Sequence, residues 1–156
     1  GEPKAMHALG IALAAGHGVP RDLSGSVEWL GQAANMGIVA AQRILGVAYL
    51  TGEGVQQNLE LARDWFKLAA NHGDGLAQCN LGVLYAQGLA RLPQDYIAAH
   101  NLYQLSAKQG CKDGMYNLGL LHAKGLGVRR DILIAHSHIA AAAAKGQMQA
   151  QAALPR

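Results

Sequence analysis

The chain has 156 residues, of which 51% are hydrophobic and 15% are charged, a composition that favours a folded domain over a disordered chain. Its formal net charge of +3 comes from 13 basic and 10 acidic residues, and the basic residues form no block. Because nucleic-acid-binding proteins cluster lysine and arginine on one face, we expect no nucleic-acid partner. No stretch reaches the roughly 18 apolar residues that cross a bilayer, so we expect no insertion of this segment into a membrane.

Three sets of positions recur along the chain at a common interval. A Leu-Gly pair recurs after 36, 36 and 37 residues, and two sets of glycines recur after 36, 36, 37 and after 36, 37, 36 residues. The positions are Leu9-Gly10, Leu45-Gly46, Leu81-Gly82 and Leu118-Gly119; Gly16, Gly52, Gly88 and Gly125; and Gly37, Gly73, Gly110 and Gly146. Three registers in phase predict four consecutive copies of one structural unit.

Each unit is predicted to contain two helices. In the second copy, Ala41, Leu45 and Tyr49 keep an apolar stripe with a spacing of four, which is typical of a helix. A Gly-x-Gly-Val segment ends this first helix, because glycine enters left-handed backbone at little cost. An Asp or Asn then provides a side-chain oxygen for the N-cap of the second helix, at Asp22, Asn58, Asp95 and Asp131.

The glycine inside each first helix needs a packing reason, since it costs about 1 kcal/mol relative to alanine. We predict that the missing side chain of Gly10 and its three equivalents lets two helices touch. A hairpin of about 36 residues cannot bury its own apolar face, so neighbouring copies must stack. The expected fold class is therefore all-α, with about four stacked helix-turn-helix repeats.

These residues resemble the Sel1-like repeat, and the second copy carries the pattern most completely. It has Ala41, Leu45, Gly46, Tyr49, Gly52, Gly54, Val55, Asn58, Ala62, Trp65, Ala69, Ala70 and Gly73 in place. The resemblance implies a right-handed α-solenoid related to tetratricopeptide repeats, which serves as a protein-interaction scaffold without catalytic residues or a cofactor. A single repeat domain over residues 1–156 is expected, with repeats at about 5–40, 41–76, 77–113 and 114–149.

The chain departs from the pattern at a few places. The third copy lacks the second loop glycine between Gly88 and Pro93, so its turn should bulge. Leu102 and His138 stand where the first two copies have tryptophan. Gly1 is in register with Gly37, and residues 150–156 resemble the start of an incomplete further repeat, so we expect a longer array.

Reactive or metal-binding constellations are not expected. The seven histidines include no His-x-x-x-His pair, and His122, at the tyrosine position of the repeat, is interpreted as a packed core residue. The sequence contains no Ser-x-x-Lys or Gly-x-Ser-x-Gly motif of an activated serine, so no catalytic, metal or cofactor site is predicted. Cys79 and Cys111 are interpreted as free thiols, although both should lie near one end of the third hairpin and a disulfide stays an alternative.

The expected function is that of a scaffold that binds a peptide, helix or protein partner on the concave face lined by the first helices. Residues turned away from the apolar stripe are the candidates, and the partner-binding residues predicted are Arg43, Asn80, Tyr116 and Asn117. A neighbouring row of Ile11, Val47, Val83 and Leu120 could line the same face or be buried between copies. An alternative function is an assembly module that docks by its ends to further repeats or to itself. The compartment stays open, since a bacterial periplasm or envelope and a cytoplasm both fit.

Overall fold

A computed structural model describes residues 2–153. Within this range the chain forms nine helices and no strand, which confirms the all-α repeat fold. The helices are α1 (Pro3–Ala15), α2 (Leu23–Asn35), α3 (Val39–Thr51), α4 (Leu59–Asn71), α5 (Gly75–Gln87), α6 (Tyr96–Lys108), α7 (Lys112–Lys124), α8 (Ile132–Ala144) and α9 (Met148–Ala153). The prediction about Gly1, and the last three residues of the expected further repeat, lie outside the described range.

The predicted N-caps are confirmed at the start of all four second helices. Asp22 accepts a hydrogen bond from the backbone N–H of Gly25 at 2.9 Å, and Asn58 accepts one from Leu61 at 3.0 Å. The remaining two bonds have the same geometry, from Ala98 to Asp95 and from Ile134 to Asp131. Each cap satisfies a backbone donor that has no partner inside the helix.

The glycines inside the first helices lie where two helices touch, as predicted. A Cβ atom at Gly46 would lie 2.5 Å from the ring of Phe66 on α4, which has no solvent exposure. A Cβ at Gly119 would lie 2.7 Å from the side chain of Ile139 on α8. Because real Cβ atoms do not approach so closely, these positions select glycine in spite of its low helix propensity.

The loop of the third copy differs from the others, as its sequence predicts. In place of the second loop glycine, the non-glycine residues Ala90 and Arg91 have φ values of 55° and 59°. Left-handed backbone is uncommon for residues with a Cβ. Ala90 is nevertheless buried, with 4% exposure, so packing holds this turn in its shape.

The chain divides into two compact units, Gly1–Ala77 and Gln78–Arg156, called here the first half and the second half. In the first half, the core cluster joins α2 and α3 through Leu30, Ala33, Ala34, Ala41 and Leu45, with Trp65 of α4 packed against it. In the second half, one cluster contains Cys79, Ala99, Tyr103, Leu118 and Leu121, and another contains Ala142, Ala143 and Ala150. Both halves therefore bury mainly small and aliphatic residues between closely packed helices.

Glutamine side chains link successive repeats, a feature that the sequence pattern did not reveal. The buried Gln42 donates a hydrogen bond from Nε2 to the carbonyl oxygen of Ala34 at 3.1 Å. Gln151 on α9 donates the equivalent bond to Ala143, also at 3.1 Å. Each bond satisfies a carbonyl at the end of the preceding helix, whereas the Oε1 atom of Gln42 is buried without a hydrogen-bond partner.

No helix within residues 2–153 is long and apolar enough to span a bilayer.

Candidate functional site

The four predicted partner-binding residues lie on three first helices, and all four are half-buried. Arg43 is on α3 in the first half, Asn80 is on α5, and Tyr116 and Asn117 are on α7 in the second half. Their partial burial means that each side chain also contacts the protein itself. The contacts that each side chain makes within the protein decide whether it is available to bind another molecule.

Arg43 is engaged in an ion pair that the repeat pattern could not reveal. Its Nε atom lies 3.2 Å from Oδ2 of Asp74, and the two side chains are 26% and 18% exposed. The other oxygen of Asp74 accepts a hydrogen bond from the backbone N–H of Ala77 at 2.8 Å, at the start of α5. One carboxylate thus caps a helix and holds an arginine, so Arg43 is not a free surface charge.

Asn117 contacts the buried thiol of Cys79, the neighbour of Asn80. Its Nδ2 atom donates a weak hydrogen bond to Sγ of Cys79 at 3.6 Å. Burial raises the pKa of the Cys79 thiol to about 12, although the bond from Asn117 opposes this shift. Cys79 and Cys111 are not bridged. Because the thiolate is the reactive form, a buried thiol with this pKa is a poor nucleophile.

Tyr116 packs against the small-residue cluster at the end of the second half. Together with Met115 and Ile139 it covers Ala142, Ala143 and Ala150. Its ring therefore contributes to the packing of α7 against α8 and α9, so its replacement would disturb structure as well as any partner contact.

The neighbouring apolar row is neither fully buried nor free. Ile11 is 43% exposed, whereas Val47, Val83 and Leu120 are half-buried. In the second half, Leu120 and Asn117 line a cavity of about 250 Å³ between α5, α6 and α7. The exposed side chains of Gln87 and Lys124 stand at the same cavity. The second half thus places a polar amide, an aliphatic side chain and a lysine around one recess.

Three histidines lie together in the second half, a cluster that sequence reasoning missed. The ring of His122 lies 5.4 Å from that of His100, edge to face, and 5.9 Å from that of His138, stacked. His122 is buried, as predicted, with 9% exposure, and its Nδ1 atom has no hydrogen-bond partner. The repeat register could have found the cluster, since these residues stand two repeats after Val27, Tyr49 and Trp65.

The environment of His122 and His138 disfavours the charged forms of these two rings. Burial lowers the pKa of His122, and the neighbouring His100 lowers it further, while Asp131 and the Arg129 backbone oppose the shift. Burial and the two other histidines likewise lower the pKa of His138. No group of three potential metal ligands has metal-binding geometry within residues 2–153. His122 and His138 therefore favour the neutral form near pH 7.

The fold and the candidate surface together define an all-α protein built from repeated helical hairpins. The family model described as Sel1 repeat matches residues 3–38, 39–74, 75–111 and 112–147. The chain belongs to the Sel1 repeat family. Proteins of this family generally mediate protein–protein interactions and are generally not enzymes.

Solved structures of bacterial proteins are similar to this chain. A Sel1 repeat protein from Oxalobacter formigenes is 32% identical with a TM-score of 0.89, over 97% of this chain and 61% of that one. A protective antigen of uropathogenic Escherichia coli with an SLR fold is 35% identical with a TM-score of 0.89, over 96% of this chain and 32% of that one. The chain thus spans less than two thirds of either protein.

A more distant structure shares the fold alone. Cysteine-rich protein B of Helicobacter pylori is 20% identical with a TM-score of 0.66, over 86% of this chain and 96% of that one. No curated protein matches the chain in sequence.

Proposed function

We propose that the chain is a protein-interaction scaffold that binds a peptide or helix of a partner protein on the concave face of the repeat array. The observation that carries the proposal is the recess of about 250 Å³ in the second half. It combines the aliphatic side chain of Leu120 with the amide of Asn117 and the exposed Lys124. Such a mixture suits a partner segment that inserts one apolar side chain and offers hydrogen-bond acceptors or a carboxylate beside it.

The predicted partner-binding residues are still Arg43, Asn80, Tyr116 and Asn117. We expect them to contribute differently to the affinity for a partner. Arg43 would have to exchange Asp74 for a partner carboxylate, which makes its net contribution to affinity small. Tyr116 and Asn117 offer only the edges that their internal contacts leave exposed. In each half the surface is therefore composed of half-buried side chains, and the second half offers the recess in addition.

The test is an affinity measurement with a partner identified by cross-linking in the source cells. Lys124→Glu reverses an exposed charge at the recess and is expected to weaken binding at least tenfold, with Asn80→Ala causing a smaller loss. Lys67→Glu on α4 is the matched control, since it also reverses an exposed charge but lies on a second helix. Calorimetric titration reports the affinities, and circular dichroism confirms that the variants fold.

Two outcomes would contradict the proposal. Lys124→Glu and Asn80→Ala could both leave the affinity unchanged, or Lys67→Glu could weaken it as much as Lys124→Glu. The variants Arg43→Glu and Tyr116→Ala are less informative, because they also break an ion pair and a packing contact.

A second candidate function, docking to another repeat, is favoured by the exposed start of α8. Within each half, a loop glycine seats against the first residue of a preceding second helix: Gly54 against Leu23, and Gly127 against Tyr96. Ile132, the equivalent first residue of α8, is 54% exposed, whereas Leu23 and Tyr96 are half-buried. The glycine-containing loop of a further repeat or of a second copy would cover Ile132.

Analytical ultracentrifugation of the chain and of Ile132→Glu tests the docking function. Concentration-dependent dimers that disappear in the variant would support self-docking, whereas a monomer at all concentrations would contradict it. The concave-face proposal is independent of either result.

A further inference from the structure

A second cavity in the second half lies between α6, α7 and α8. Its volume is about 280 Å³, and both His122 and His138 line it. The apolar part of the lining consists of Ala107, Met115, Leu118 and Ala141, and the polar part adds Gln104 and Lys108. This volume is close to the lower end of the range of small-molecule sites, about 300 Å³.

In the first half, an aromatic side chain packs at the position equivalent to this cavity. Trp65 on α4 packs against a core cluster that includes Ala34 and Leu45. Two repeats further on, the residues in register with Ala34 and Leu45 are Ala107 and Leu118, and both line the cavity. His138 stands in register with Trp65. The cavity is thus the second-half counterpart of the indole-filled space of the first half.

Two further substitutions in register remove side-chain volume from this space, whereas Gln104, in register with Gly31, adds a side chain to the lining. His122 replaces Tyr49, and Ala141 replaces Leu68. Each change removes side-chain volume from the lining of the cavity, which the close packing of a protein interior would otherwise fill. Ala107 and Leu118 remain as walls, and their first-half counterparts belong to the cluster against which the Trp65 ring packs, so a flat ring fits here.

The charges around the cavity favour an anionic ligand. Lys108 is exposed and is the charged residue of the lining at neutral pH, and no carboxylate belongs to the lining. His138 and Gln104 offer further hydrogen-bonding groups. The Nδ1 atom of His122 is buried and has no hydrogen-bond partner.

We propose that this cavity binds a small aromatic carboxylate, with the ring in the space that Trp65 fills in the first half and the carboxylate near Lys108. The site lies among α6, α7 and α8, and the proposal does not depend on whether the first helices bind a partner protein.

Binding is tested by titrating the ¹⁵N-labelled chain with indole-3-acetate and following the backbone amide resonances. We expect saturable shifts confined to α6, α7 and α8. His138→Trp restores the residue of the first half, fills the cavity and should weaken binding at least tenfold. Ala141→Leu, which restores the residue in register at Leu68, provides a second filling variant should His138→Trp fold poorly.

The carboxylate is tested separately from the ring. Lys108→Gln should weaken binding of indole-3-acetate about two- to fivefold, the range of an exposed ion pair, and leave binding of neutral indole unchanged. The matched control is Lys67→Gln on α4, which should change neither. The proposal is overturned if indole-3-acetate causes no saturable shifts. It is also overturned if both filling variants bind as well as the parent chain, or if the shifts centre on α2 to α4.

Discussion

The two halves of the chain use the same repeat for different interior chemistry. At one layer, the first half has the apolar and aromatic side chains of Val27, Tyr49 and Trp65. The second half has His100, His122 and His138 at the corresponding positions, and the ring of His122 contacts the other two. The N-caps of the second helices and the close contacts of the first-helix glycines recur in both halves. The scaffold therefore depends on the small residues and caps, and the aromatic layer is free to change.

The largest effect is expected from removing the tryptophan of the first half. Trp65→Ala should lower the free energy of unfolding by about 3 kcal/mol, because the large half-buried ring no longer packs against the core cluster of the first half that contains Leu30. His138→Ala, at the position in register, should cost about 1 kcal/mol, since a cavity already adjoins that ring. Urea denaturation measures both. Equal costs would contradict the difference between the halves.

A methyl group at the helix contact should also destabilise the protein. Gly46→Ala places a Cβ against the buried ring of Phe66, and the overpacking exceeds the gain in helix propensity, so we expect a net loss of about 2 kcal/mol. Gly31→Ala on α2 is the control, because nothing lies within 4 Å of its Cβ position. That variant should gain about 0.5–1 kcal/mol. Thermal unfolding separates the two, and a Gly46→Ala variant as stable as Gly31→Ala would argue against the close contact.

A smaller effect is expected at the starts of α5 and α7. Asp74→Ala loses a helix cap and the partner of Arg43, at a cost of about 1–2 kcal/mol. The second half has Cys111 in the same register, with no side-chain cap, so Cys111→Asp should stabilise by about 0.5–1 kcal/mol. Chemical denaturation of both variants tests this. A loss of stability in Cys111→Asp would show that the two helix starts are not equivalent.

Much of the fold could be predicted from the sequence because caps and glycine contacts are local and recur with the repeat. The roles of Asp22 as an N-cap and of Gly46 at a helix contact can be predicted from a few neighbouring residues and from the repeat interval. The candidate site was harder to predict from the sequence. The Arg43–Asp74 ion pair joins residues 31 positions apart, and Asp74 has no acidic counterpart at Ile38 or Cys111. Periodicity identifies what copies share, whereas this ion pair and the histidine cluster arise where copies differ.

The histidine layer makes the second half sensitive to acid. His122 and His138 have a lowered pKa in the folded chain, so below about pH 6.5 the unfolded chain binds protons that the folded chain does not. The contribution of these two histidines to the free energy of unfolding is therefore fully present above that pH. It is lost as the pH drops towards the lowered pKa values of the folded chain. The groups around His122 act in both directions, since His100 opposes its protonation whereas Asp131 and the backbone of Arg129 favour it.

Amide hydrogen exchange of the whole chain at pH 7.5 and pH 5.5, corrected for intrinsic rates, tests the difference between the halves most directly. We predict that protection of α6, α7 and α8 falls at pH 5.5 while that of α2, α3 and α4 is retained. Combining His122→Tyr with His138→Trp should remove the loss. Equal loss of protection in both halves, or an unchanged loss in the double variant, would contradict the account.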